Sequence, residues 1–256
     1  MARCISAALN CAGIFLLFLL QRTSCSVLTR ESIQIAFGVM VYQKHGKSVN
    51  EVLHDFIRTM KSIYVPNRHS YFIHLDSKSD PPLHKQVSSR CSDLRNCIQI
   101  SPRNVAWAGL TTGEMMLALM HEAYESEFHF DYFVLLGHES IPLVSMSTLA
   151  TVLAAYPPGS NFMNCWPVDQ YNFFGQMENN TYRLQEVVVD TFQGHLLEGL
   201  PARRHVPSDI VFYKSIQNFV VSRDFVRLVG CIYLCMYLSV CIAICTSLYD
   251  SGRFLH

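Results

Sequence analysis

Apolar positions change their period twice between Ile33 and Asp80, which divides this stretch into strand, helix and strand. Ile35 to Val41 is an almost unbroken apolar run, as expected for a parallel strand covered on both faces. Val49, Val52, Leu53, Phe56, Ile57 and Met60 then recur at helical spacing. They leave Asn50, Glu51, His54, Asp55, Arg58 and Lys61 for water. Ser48 and Glu51 form a capping box at the start of this helix, and Pro66 with Asn67 ends it. Tyr71 to Leu75 reads as the next strand and finishes on Asp76. A helix between two strands makes them parallel, so both end at one edge of the sheet. Met40, Val41 and Tyr42 arrive there from the first strand, and Asp76, Ser77 and Lys78 from the second. Ligands of open α/β sheets sit beyond the carboxyl ends of the strands.

The same alternation continues. A short helix is expected around Leu83 to Ser89 and a strand around Ile98 to Ile100. Trp107-Ala108-Gly109 leads into a helix with Thr111 and Glu114 as a second capping pair, and with Met115, Leu119, Met120 and Ala123 as its stripe. Methionine at helical spacing reads as core rather than as a soft-metal site. Tyr132 to Leu136 is a buried strand ending in the polar cluster Gly137-His138-Glu139-Ser140. Ser145 caps a helix from Met146 to Tyr156, which Pro157, Pro158 and Gly159 stop. Strands are expected at Phe162 to Cys165, Val187 to Val189 and Phe219 to Val221, and a short helix from Arg223. This order predicts an α/β sandwich over 35–165.

Half of the 256 residues are hydrophobic and the formal net charge is zero, enough for one substantial domain or two small ones. A pI near 7.1 gives no reason to expect nucleic acid. An uncharged stretch, Cys4 to Leu20, lies between Arg3 and Arg22. It reads as a signal anchor or signal peptide, with residues 1–30 as leader and short stem. Asn179-Asn180-Thr181 holds the sole glycosylation sequon, at Asn179. Of ten cysteines, Cys25, Cys91, Cys97 and Cys165 lie outside the apolar ends. Cys91 and Cys97 are close enough to pair, and free buried thiols are the alternative. Leu228 to Tyr249 carries no charge and is dominated by Cys, Tyr, Ile and Leu. Residues 230–256 therefore form either a second membrane span or a low-complexity tail outside the fold.

No G-x-S-x-G, H-E-x-x-H, P-loop, G-x-G-x-x-G or zinc-ligand spacing is present. Asp-x-Asp is absent too. A transferase of nucleotide sugars built without that carboxylate pair would neutralise its leaving diphosphate with Arg or Lys.

An ordered set of segments carries a resemblance. It comprises Ile35-Ala36-Phe37-Gly38-Val39-Met40-Val41, Ile63-Tyr64-Val65-Pro66-Asn67, Tyr71-Phe72-Ile73-His74-Leu75-Asp76-Ser77-Lys78, Val105-Ala106-Trp107-Ala108-Gly109, Ile141-Pro142-Leu143 and Phe219-Val220-Val221-Ser222-Arg223. The set resembles the core-2/I-branching β-1,6-N-acetylglucosaminyltransferases and their xylosyltransferase relatives, glycosyltransferase family fourteen. The resemblance implies a GT-A-like α/β sandwich with a mostly parallel central sheet over residues 31–229. It also implies inverting, metal-independent transfer of GlcNAc or xylose from a UDP-sugar to a glycan or glycoprotein acceptor, with no cofactor. Met40, Val41, Tyr42, Asp76, Ser77, Lys78 and Trp107 fall on the donor-binding positions. The family's acidic acceptor-binding residue would fall near Met163 or Asn164, neither of them acidic. Its catalytic Glu and basic diphosphate clamp lie downstream of the Val-Ser-Arg segment, where this chain leaves the pattern after about Val229. No catalytic residue is therefore assigned, and the C-terminal part of the fold is expected to be missing. A catalytically inactive nucleotide-binding form and a secretory-pathway binding protein are the alternatives. The family also implies a single-pass type II protein of the Golgi or ER membrane, anchored by its N-terminal segment, its domain lumenal and Asn179 glycosylated.

Overall fold

The computed structural model describes residues 33–106, 110–164, 166–167, 189–190, 196–197, 213–214 and 218–230. The elements run β1 (Ile35–Val41), α1 (Val49–Ile63), β2 (Ser70–Leu75), α2 (Pro81–Ser92), β3 (Cys97–Gln99), α3 (Leu110–Glu125), β4 (Tyr132–Gly137) and α4 (Met146–Ala154). Four two-residue strands follow: β5 (Trp166–Pro167), β6 (Val189–Asp190), β7 (Leu196–Leu197) and β8 (Tyr213–Lys214). The last strand, β9 (Val220–Ser222), leads directly into α5, residues 223–230.

Five strands form the main sheet in the order β3-β2-β1-β4-β9. The first four run parallel, and β9 is antiparallel to β4. Every residue of β1 and β2 is buried, which is why both read as continuous apolar runs rather than alternating ones. Alternate residues of β1 serve two cores. Ile35, Phe37, Val39 and Val41 pack with α1, α2 and α4, while Ala36 and Met40 pack with α3 and α5. The expected α/β class with a mostly parallel central sheet is the observed one. Two further pairs, β5 with β8 and β6 with β7, are antiparallel.

Where the sequence expectation and the structure differ, the reasons are local. The helix expected at Leu83 starts earlier, at Pro81, because proline is tolerated in a first helical turn, where the missing N–H has no partner to lose. Thr111 lies inside α3 rather than at its cap, and its hydroxyl accepts a hydrogen bond from the Ala106 amide at 2.8 Å. The helix expected to reach Tyr156 ends at Ala154. The segment expected as a strand from Phe162 reduces to one antiparallel bridge between Phe162 and Val220. Residues 1–32, Trp107, Cys165, Asn179 and the tail from 231 lie outside the described residues. Cys91, in the last turn of α2, is disulfide-bonded to Cys97 at the start of β3, with their Cα atoms 5.4 Å apart.

Candidate functional site

Backbone hydrogen bonds knit the carboxyl ends of the three central strands together. The Asp76 amide donates to the Val41 carbonyl at 2.9 Å, and the His138 amide donates to the Met40 carbonyl at 2.9 Å. A cleft of about 1100 Å³ opens over this edge. Met40, Val41, Tyr42, Asp76 and Lys78 all line it, so the two strand ends read from the sequence do meet. Ser77 is exposed and is not among the lining residues; its amide donates to the Arg103 carbonyl at 3.0 Å. The cleft's other wall is apolar, with Met115, Met116 and Met120 from α3 and Phe219 and Phe225 from around β9. The methionine stripe is therefore core that surfaces at one end into the cleft.

Asp76 is 8% exposed, and its carboxylate is satisfied within its own turn. Oδ1 accepts from the Lys78 amide and Oδ2 from Lys78 Nζ, both at 3.0 Å. Lys78 Nζ also donates to Asn104 Oδ1 at 2.8 Å and to the Val105 carbonyl at 2.6 Å. Three acceptors match the three protons of an ammonium, so Lys78 clamps the 103–105 segment rather than offering a bare cation to a ligand. Behind it, His74 is 2% exposed, and its Nε2 accepts from the Arg103 amide at 3.2 Å. Burial pushes the His74 imidazole down to about 4, so it is neutral near pH 7.

The β1–α1 connection forms the other rim, and the β4–α4 connection packs against it from outside the cleft. The Tyr42 ring packs edge-on against His138 with centroids 5.0 Å apart. Glu139 Oε2 lies 3.0 Å from Lys44 Nζ and its Oε1 3.1 Å from Lys47 Nζ, while Lys47 Nζ also meets Asp55 Oδ2 at 3.1 Å. Burial pushes the Glu139 carboxyl up, and the two lysines more than offset it, so it lies below its ordinary value. Sequence reasoning marked Glu139 only as part of a polar strand end. Its partners lie 92 and 95 residues away, and no local pattern announces them.

Asp55, His138 and Glu139 place three ligand atoms within 4.8 Å of one another, the spacing of a metal centre. The charges around them argue otherwise. Lys47 Nζ already sits 3.1 Å from both carboxylates, Lys44 holds Glu139, and Arg58 holds Asp55 at 2.9 Å. Two negative charges thus have three positive partners, and the Lys47 ammonium stands where a divalent ion would need to be.

The sheet order and the cleft define an α/β protein with an open cleft at its carboxyl strand edge. The profile of the Core-2/I-branching enzyme family matches residues 40–230, and the chain belongs to that glycosyltransferase family. A xylosyltransferase of Drosophila melanogaster is 26% identical over 133 residues, covering 51% of this chain and 14% of that protein. Among solved structures, a mannosyltransferase from Pyrobaculum calidifontis with GDP-mannose and Mn2+ is 12% identical, with a TM-score of 0.35 over 65% of this chain and 48% of that one. CMP:2-keto-3-deoxy-manno-octonic acid synthetase with CTP is 11% identical, with a TM-score of 0.34 over 76% of each chain.

Proposed function

We propose that this chain forms the donor side of a glycosyltransferase that takes a UDP-sugar, with GlcNAc or xylose as the sugar, and serves a glycan or glycoprotein acceptor. The observation that carries the reading is the convergence of Met40, Val41, Tyr42 and Asp76 on one cleft at the carboxyl strand edge. A flat base suits the Tyr42 ring and the apolar strand ends, while Lys44 at the rim offers positive charge to an anionic donor and the His45 ring a hydrogen-bonding group. Inverting transfer without a metal is part of the proposal. Its support is the missing Asp-x-Asp and the pairing of Asp55 and Glu139 with lysines.

Among the described lining residues Asp76 is the one carboxylate, and both its oxygens are engaged by Lys78. It suits orientation of a ribose or base better than deprotonation of an acceptor hydroxyl. That observation favours a second reading, nucleotide binding without turnover. Titration of the full chain with UDP by calorimetry tests the donor site. Tyr42→Ala and Asp76→Ala should each weaken binding by roughly tenfold, the worth of one ring contact or one charge-assisted hydrogen bond. Affinity equal to wild type in both variants would sink the assignment. Binding should survive EDTA, and a strict manganese requirement would contradict metal independence. Assay of UDP release with glycan acceptors then separates turnover from binding alone.

We also propose a Golgi or ER membrane protein of type II orientation, with a lumenal domain and Asn179 glycosylated. The Cys91–Cys97 disulfide supports an oxidising compartment. A glycosidase that leaves the mobility of the translocated protein unchanged would rule out use of Asn179.

A further inference from the structure

The segment joining β1 to α1 supplies Tyr42, Gln43, Lys44 and His45 to the cleft, yet it belongs to no helix or strand. Its shape is held by a turn in which the Lys47 amide donates to the Lys44 carbonyl at 3.1 Å, with Gly46 at φ +85°. The two ends of that turn each carry an ammonium, and the two oxygens of Glu139 grip one each. Glu139 is itself fixed from behind. The buried Thr59 hydroxyl on α1 lies 2.6 Å from the His138 carbonyl and 2.8 Å from the Ser140 carbonyl, one on either side of Glu139.

We propose that Glu139 is a positioning residue for the donor, stapling the 44–47 turn so that Tyr42 and Lys44 face the bound nucleotide. This rests on the donor reading of the cleft. Glu139 does not line the cleft, so it acts through the turn and not by contact. The proposal opposes plain electrostatics in sign. If Glu139 acted only as a charge, removing it would free two lysines near an anionic ligand and tighten binding. If it positions the turn, removing it loosens the rim and weakens binding.

The test uses the full chain, UDP as ligand, and Glu139→Gln, Lys47→Met and the double variant. Calorimetry should show about two- to fivefold weaker UDP binding for each single variant, the range that half-exposed ion pairs supply. The double variant should be no weaker than the weaker single one, since both break the same staple. Hydrogen exchange of the 42–47 amides should quicken in Glu139→Gln while exchange in β1 stays unchanged. Tighter or unchanged UDP binding by Glu139→Gln would overturn the proposal, as would unchanged exchange in the turn. Stabilisation of wild type but not Glu139→Gln by added Zn2+ or Mn2+ would overturn it in favour of a metal centre. Wild type that binds no UDP would instead overturn the donor reading and take the proposal with it.

Discussion

His69, His74 and His138 are buried, and burial holds each imidazole below its ordinary range. For His69 and His74 the folded value falls to about 4, with desolvation the leading cause in both. Each ring serves as an acceptor. His69 Nδ1 takes the Ile35 amide at 3.2 Å, and His74 Nε2 takes the Arg103 amide at the same distance. A proton on either nitrogen would break that bond and charge the interior. The unfolded chain binds these protons near pH 6.5 and the folded one only near 4, so stability rises with pH across that window. Going down in pH, each ring should remove about 3 kcal/mol by the time pH 4 is reached. Urea midpoints measured from pH 7 to pH 4 should fall steeply, and His69→Gln should flatten the profile. A midpoint independent of pH would mean that the rings titrate normally. The helical period left His54 for water and the strand pattern enclosed His74, but no local signal marked His69 or His138 as buried. Their burial follows from strand register, which is a tertiary fact.

Gly38 in the middle of β1 shows how tightly the strands are packed. A Cβ there would fall 2.5 Å from Cζ of Phe133, the residue of β4 that crosses over it. Gly38→Ala should therefore cost about 1–3 kcal/mol by overpacking, and Phe133→Leu in the same chain should restore most of it, as read from denaturant midpoints. At the scale of elements, the sequence was most informative where two signals agreed. The α1 helix carried a capping box and an apolar stripe, and the structure shows both Ser48–Glu51 bonds with the stripe against the sheet. Ser48→Ala should lower stability by about 1 kcal/mol. The ends of elements were less legible. The helix read around Leu83 begins at Pro81, because a first turn accepts proline. Thr111 paired with Glu114 in the pattern of a capping box, yet it lies inside α3. Phe162 looked like a strand start, yet it keeps one bridge to Val220. At the site, the strand ends were legible because parallel strands must finish together. The ion pairs of Glu139 were not, because they join two connections that only the closed sheet brings side by side.

Across the whole molecule, the disulfide ties the end of α2 to β3, which is three residues long and, among the described strands, pairs with β2 alone. Closing so short a loop contributes about 2 kcal/mol by chain entropy. Dithiothreitol and Cys91→Ser should lower the melting temperature by similar amounts, and a reductant effect persisting in Cys91→Ser would place it elsewhere. The strand order also sets a sequence of events during folding. β1 pairs with β2 through residues 34 apart, Ala36 with Ser70, but with β4 through residues 97 apart, Ile35 with Tyr132. Closing the longer loop costs about 0.9 kcal/mol more in chain entropy if nothing has formed inside it. The β1–α1–β2 unit should therefore assemble first, with β4 joining a preformed edge. Phe56→Leu in α1 should then slow refolding, whereas Leu135→Ala in β4 should mainly speed unfolding. A protein arranged in this way spends its folding time with the β4 side of β1 uncovered, at the strand whose far end becomes the cleft.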